Sequence, residues 1–305
     1  MTSPSAWRGV ANTLPDVIRV VAVVATYNER RFIGGFIAHC ARHGVDVYVI
    51  DNDSTDDTVA IARSFEGQGL VGLETLPRAG VFDLSAQLRR KEELCRELDA
   101  DWFIHADADE RRLPPQSELT LAEALEECAD AGFNAVNFLE YAFVPTMEEP
   151  DHDHPDFERT MHGYYPHLPV MPHRLNAWRR QAGPVDLVTS GGHAVSFEGL
   201  AMAPWSFPMR HYLFLSREHA IEKYIGRGYA ADELRRGWHQ ARDELTPEDV
   251  VLPSQADLRE YTGDDQLDPA DPRRSHPLFD PVIARLFPAG PARPGAPPRS
   301  PRPRR

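Results

Sequence analysis

The run Val17-Ile18-Arg19-Val20-Val21-Ala22-Val23-Val24-Ala25-Thr26 is apolar and β-branched almost throughout. That is the pattern of a parallel strand covered on both faces, not of a half-exposed one. Apolar residues at helical spacing follow from Phe32 to His43, ahead of Gly44 as C-cap. A second buried strand spans Val47 to Ile50, and Ser54-Thr55 with Asp56-Asp57 open a helix to about Phe65. A third strand, Val71 to Leu76, leads to a charged helix from Asp83 to Leu98, and the fourth, Trp102 to Ala106, ends in Asp107-Ala108-Asp109-Glu110. Strands alternating with helices of this length predict an α/β fold, with right-handed crossovers, a mainly parallel sheet and helices on both faces.

In such sheets ligands gather beyond the carboxyl ends of the strands. Tyr27-Asn28-Glu29, Asp51-Asn52-Asp53 and Asp107-Ala108-Asp109 all fall there. On an extended segment Asp107 and Asp109 share a face and Glu110 turns away. Two such carboxylates can hold a hard divalent cation, Mg2+ or Mn2+, that neutralises a leaving diphosphate. Asp51-Asn52-Asp53-Ser54-Thr55 also reads as the DxDxT of haloacid-dehalogenase-type phosphohydrolases, with Asp51 as nucleophile. Against that, a stronger strand and the Thr26-Tyr27-Asn28-Glu29 segment precede it, whereas the phosphatase motif ordinarily opens its sheet.

The remaining sequence narrows the class. The chain has 305 residues, 42% apolar and 26% charged, as in ordinary globular proteins. Its net charge of −14 disfavours a nucleic-acid partner, which needs a basic face. Cys40, Cys95 and Cys128 form no CxxC pattern, the first residues carry no signal-peptide core, and no run reaches the roughly 20 apolar residues of a membrane span. The expectation is a cytoplasmic protein with at most peripheral membrane contact. No GxGxxG follows the first strand, which disfavours a dinucleotide oxidoreductase. The expected organisation is an N-terminal extension at 1–16, a nucleotide-binding half at 17–143, an irregular half at 144–245 ending in a helix from Ser216, a C-terminal extension at 246–287, and a disordered Pro- and Arg-rich tail at 288–305.

Three runs carry a family resemblance: VVATYNERRFI from Val23, VYVIDNDSTDDT from Val47 and DADWFIHADADE from Asp99. Together they resemble glycosyltransferases of family 2, which have the GT-A (Rossmann-like) fold. Phe143-Val144-Pro145-Thr146, Gly191-Gly192-His193 and Arg210-His211-Tyr212 resemble a bacterial subgroup of these enzymes more loosely. The resemblance implies inverting transfer of a sugar, with a divalent metal, from a nucleotide-diphosphate sugar to a hydroxyl of a glycan, lipid-linked or small-molecule acceptor. It implies that Thr26, Tyr27 and Glu29 line the nucleotide pocket, that Asp51 and Asn52 meet base and ribose, and that Asp107 and Asp109 hold the metal and diphosphate. Many relatives carry Asp where this chain has Asn52. A non-catalytic nucleotide- or glycan-binding module on the same fold is the further alternative.

Inversion needs a base to deprotonate the acceptor hydroxyl. Asp186 and His193 stand about as far beyond the acidic motif as related enzymes place theirs. His211 is expected, by the resemblance, to reach the metal or diphosphate. Lys223 and Arg227 lie four apart and are expected on one helical face as phosphate ligands, and Arg90, among Arg89-Arg90-Lys91, is expected to face the diphosphate. Asp151-His152-Asp153-His154, with His162, His167 and His173, has zinc-ligand chemistry. Neighbours on one loop cannot all converge on an ion, so an acceptor-binding loop is the expectation there.

Overall fold

The computed structural model describes residues 18–287. The expected extension at 1–16 and tail at 288–305 lie outside the described residues. Two compact units share the chain. Unit 1 takes residues 18–77, 84–139 and 172–210, and unit 2 takes 78–83, 140–171 and 211–287. The division is more interleaved than a break near 143 would give, because the chain returns to unit 1 after Met171.

Unit 1 opens with β1 (Val20–Thr26), α1 (Ile33–Arg42), β2 (Val45–Asp51), α2 (Thr58–Arg63) and β3 (Leu70–Thr75). It continues with α3 (Leu84–Glu97), β4 (Trp102–Ala106), β5 (Glu110–Arg112), α4 (Leu121–Asp130) and the start of β6 (Ala135–Phe143). Strands β3, β2, β1 and β4 lie side by side in parallel, with Thr26 beside Asp51 and Val24 beside Ala106. The polar ends of β1, β2 and β4 thus share one sheet edge, as the alternation of strand and helix predicts. Past β4 the pairing turns antiparallel.

Val21, Val23 and Ile50 pack with Leu88, Leu94 and Cys95 of α3, while Val20, Ala22 and Val24 on the opposite face are buried too. Both faces of the sheet are therefore covered, which is why β1 carries no alternation of polar and apolar residues. Gly44 closes α1 at φ +71, as expected of a C-cap. Helix α2 starts later than the sequence predicts, since Asp56 accepts from the Thr58 N–H and hydroxyl while Ser54 and Thr55 bond to Asn28.

Unit 2 holds the end of β6, α5 (Phe157–Thr160) and β7 (Gly163–His167). The chain then re-enters unit 1 for β8 (Leu175–Arg179), which pairs with β4 and β6, and for most of β9 (Phe207–Tyr212). Around Asp186 to Val195 only isolated bridges form, Asp186 with Ser196 and Leu175 with Ala194, where small strands are expected. Unit 2 resumes with α6 (Arg217–Tyr224), α7 (Ala231–Arg235), α8 (Gln240–Asp243), β10 (Arg259–Glu260) and α9 (Asp280–Leu286). Its core joins Tyr165, Leu213, Phe214, Tyr224 and Phe279. Ser216 caps α6 by accepting from the His219 N–H, as its place before the helix predicts. Among the described residues no helix is long and apolar enough to cross a membrane.

Candidate functional site

The loops after β1 and β2 are stitched together. The Asn28 N–H donates to Ser54 Oγ at 2.9 Å, the Thr55 N–H to Asn28 Oδ1 at 2.8 Å, and the Glu29 N–H to Thr58 Oγ1 at 2.7 Å. Thr26, buried, donates its hydroxyl to Asp51 Oδ1 at 3.3 Å, and Asp51 Oδ2 accepts the Ser54 N–H at 3.1 Å. Asp51 is 3% exposed with both oxygens engaged. That is a framing carboxylate, without the open face that a phosphatase nucleophile needs. Tyr27 and Glu29 remain half-buried on the same rim.

Asn52 is equally committed. Its Nδ2 donates to the Leu76 carbonyl at 2.8 Å and its Oδ1 accepts from Gln87 Nε2 at 3.0 Å, tying the ends of β2 and β3 to α3. An Asp here has no N–H for Leu76, which gives a physical reason for Asn at this position.

The acidic motif is a turn, not an extended segment. The Glu110 N–H donates to the Asp107 carbonyl at 3.2 Å, and the Asp107 N–H donates to Glu110 Oε2 at 2.9 Å. Strand alternation therefore does not govern it: Asp107 is exposed whereas Asp109 is 6% exposed. Glu110 does turn inward, 2.7 Å from Arg112 Nη1 and 3.7 Å from Arg174 Nη1.

Three buried cations fix the backbone around this turn. Lys91 Nζ donates to the Ala106 carbonyl at 3.0 Å and Arg112 Nη2 to the His105 carbonyl at 2.7 Å. Arg111 Nη1 reaches the carbonyls of Ala108 at 2.9 Å and Glu110 at 3.1 Å. Buried carbonyls need hydrogen-bond donors, and around this turn these cations supply them. Among the described residues the Asp107 carboxylate accepts no hydrogen bond from the protein; its one resolved interaction is electrostatic, with Lys91. Burial lowers the Lys91 pKa to about 8, with Asp107 and Glu110 opposing that shift.

A hard cation favours oxygen ligands, and an exposed, uncommitted carboxylate at a sheet edge fits Mg2+ or Mn2+. Asp107, with Asp109 two residues on, would hold it.

The base candidates sit in different settings. Asp186 Oδ1 accepts the Thr189 N–H at 2.9 Å and so caps its own turn. His193 is exposed and stacks on His173, centroids 4.7 Å apart, and His173 is anchored by its N–H to Asn137 Oδ1 at 3.2 Å. Gly191 and Gly192 have φ of +66° and +83°. The close approach that Gly192 permits is to His105 of the chain itself, whose Nε2 would stand 2.8 Å from an added Cβ.

Other expected ligands are engaged elsewhere. Arg90 sits among Glu74, Glu93 and Glu97, at 2.6, 3.0 and 2.8 Å, and these hydrogen-bonded carboxylates raise its pKa. The α3 cation beside the Asp107 turn is Lys91, which lies next to Arg90 in sequence and so on another face. Lys223 donates to the Leu213 carbonyl at 3.0 Å. Helix α6 ends at Tyr224, so Arg227 does not share its face and lies over the Phe82 ring instead, 4.3 Å from its centroid.

His211 Nδ1 is 2.6 Å from Glu140 Oε1, within unit 2. Glu140 and His167, opposed across β6 and β7, bring ligand-type atoms within 4.8 Å. The Asp151–His154 run does not converge on an ion: His152 and His154 both bond to the Thr160 hydroxyl, at 2.9 and 3.3 Å, and His162 to the Arg159 carbonyl at 2.9 Å. Sequence reading missed Lys91, Arg111, Arg112 and Glu110 as the frame of the turn. Four charged residues inside or beside apolar strand and helix patterns were the available signal.

Comparison with solved structures finds TarS of S. aureus in complex with UDP, 10% identical, covering 65% of this chain and 61% of that one at a TM-score of 0.42. It also finds the mannosyltransferase of Pyrobaculum calidifontis with GDP-Man and Mn2+, 19% identical, covering 74% and 62% at 0.41. Glucosyl-3-phosphoglycerate synthase of Mycobacterium tuberculosis is 18% identical, covering 40% and 44% at 0.30. The chain covers 37% of the longer TarS chain. No curated protein matches the sequence. The pattern of glycosyl transferase family 2 matches residues 21–182, more than half of the chain, with the Thr26, Asp51 and Asp107 strand ends inside the match, and the chain belongs to that family.

Proposed function

We propose that the chain transfers a sugar from a nucleotide-diphosphate sugar to an acceptor hydroxyl, with Mg2+ or Mn2+ at the Asp107–Asp109 turn. The observation that carries this reading is the Asp107 carboxylate, exposed and without a hydrogen bond among the described residues while cations hold the carbonyls around it. A surface acid with no ligand to serve needs no such frame.

A bound divalent cation supplies Lewis-acid neutralisation of the departing nucleoside diphosphate. The chain's own residues do the rest. Thr26, Tyr27, Glu29, Asp51 and Asn52 form the rim that receives the nucleotide, its shape set by the stitched β1 and β2 loops. His193 is the better base: its imidazole takes the acceptor proton as the acceptor oxygen bonds to the anomeric carbon and the bond to the diphosphate oxygen breaks, with inversion. Asp186 is held by its own turn. The reading does not need Arg90, Lys223 or His211, whose side chains are already engaged. A glycan, a lipid-linked sugar or a small molecule can each provide the acceptor hydroxyl.

Asp107→Ala tests the assignment. It should lower kcat/KM for donor turnover with Mn2+ by about 100- to 1000-fold, the scale of losing one electrostatic stabiliser of a transition state. Because Asp107 is exposed, thermal stability should change little. Unchanged turnover in the folded variant would reject the cation site.

A further inference from the structure

Lys91 is buried, yet its ammonium touches no carboxylate directly. Nζ lies 2.8 Å from His105 Nδ1 and 3.0 Å from the Ala106 carbonyl oxygen. Lysine offers donors only, so His105 Nδ1 is the acceptor and the proton of the neutral ring sits on Nε2. On the Nε2 side stands Gly192, where an added Cβ would come within 2.8 Å, and its carbonyl accepts from Asn176 Nδ2 at 2.8 Å. His193 follows directly. One imidazole thus has the end of β4 on one edge and the backbone leading to His193 on the other.

We propose that Lys91 is a positioning residue which, by fixing the Nε2–H tautomer and the tilt of His105, holds the Asp107 turn and the Gly191–Gly192 loop in one relative arrangement. An apolar residue at 91 leaves His105 Nδ1 as a buried acceptor without a donor, and the ring escapes that penalty by changing tautomer or rotating. Rotation on one edge moves Gly192 on the other, since no space for a methyl separates them. Only the purpose of this arrangement, spacing the cation from the acceptor base, rests on the glycosyl-transfer reading.

The test uses the full chain labelled with 15N-histidine, together with Mn2+ titration followed by electron paramagnetic resonance, neither of which requires sugar transfer. Wild-type His105 should show an unprotonated Nδ1 and a protonated Nε2. In Lys91→Met that pattern should be lost and Mn2+ binding should weaken by about tenfold, the scale of losing a residue that orients a metal ligand. Lys91→Gln, which keeps an N–H donor, should restore the pattern and most of the affinity. A lysine needed only for packing would make Met and Gln equivalent, and that result overturns the proposal. A wild-type ring protonated on Nδ1 overturns it as well, without any variant having to fold. If the wild type binds no Mn2+, the cation site proposed above fails, and the His105 pattern in the variants alone decides the role of Lys91.

Discussion

In unit 1 the Asp107 carboxylate stands in solvent while Lys91, Arg111 and Arg112 bond to backbone carbonyls on either side of it. In unit 2 the Glu140 carboxylate is 1% exposed, with His211 Nδ1 at 2.6 Å and His276 Nε2 at 3.7 Å; His276 also stacks on His167, centroids 3.8 Å apart. Both places combine acids with basic side chains, one at the turn after β4 and the other within β6. In one, the cations serve the backbone and the acid is left without a hydrogen bond among the described residues. In the other, the basic groups close on the acid itself. A charged cluster is therefore informative about ligand binding through which atoms remain uncommitted, and not through its composition.

The contrast can be broken from either side. The largest effect on stability should come from Glu140→Ala, which strands His211 without its carboxylate: a loss of about 3 kcal/mol in urea unfolding, typical of breaking a buried pair. A loss near zero would mean that the unit 2 carboxylate is as uncommitted as Asp107. Gly192→Ala comes next. Its positive φ and the His105 contact should cost about 2 kcal/mol by the same measurement. Wild-type stability in that variant would show that the loop is not packed against His105.

The smallest effect concerns protons. Burial, aided by Arg111, lowers the His39 pKa to about 2, and its Nε2 lies 2.7 Å from the Arg112 carbonyl as an N–H donor of the neutral ring. The unfolded chain takes up a proton at His39 below its ordinary pKa of 6.5 and the folded chain does not. The contribution is therefore complete above pH 6.5 and is lost as pH falls through the window toward 2, by at most about 1.4 kcal/mol per pH unit. Urea midpoints at pH 7.5 and 5.5 should accordingly converge for His39→Gln relative to wild type. Parallel shifts in the two proteins would place His39 outside the cationic frame of unit 1.

The strand–helix rhythm of the first half was readable because burial on both faces leaves a local signature, β-branched runs bounded by helix caps. The polar ends of β1, β2 and β4 followed from the same rhythm, since parallel crossovers must bring successive strand ends to one edge. Thr26, Asp51 and the Asp107 turn thus lie at the edge to which the sequence leads. The specific partners were not readable, for a physical reason. Whether Arg90 or Lys91 faces the acidic turn depends on the rotation of α3 against the sheet, one residue being enough to turn a side chain by about 100°.

Sequence alone determined the α/β class, the edge shared by the ends of β1, β2 and β4 and the acids placed there, because these depend on periodicities of two and 3.6 that each segment carries within itself. Only the tertiary structure decided which carboxylate stays open. Arg174 reaches Glu110, Gln87 takes up Asn52 and Gly192 lies against His105 across long stretches of chain. Hydrogen bonds saturate, so an atom's availability to a ligand is set by every neighbour that folding brings to it, and no local pattern in the sequence contains that count.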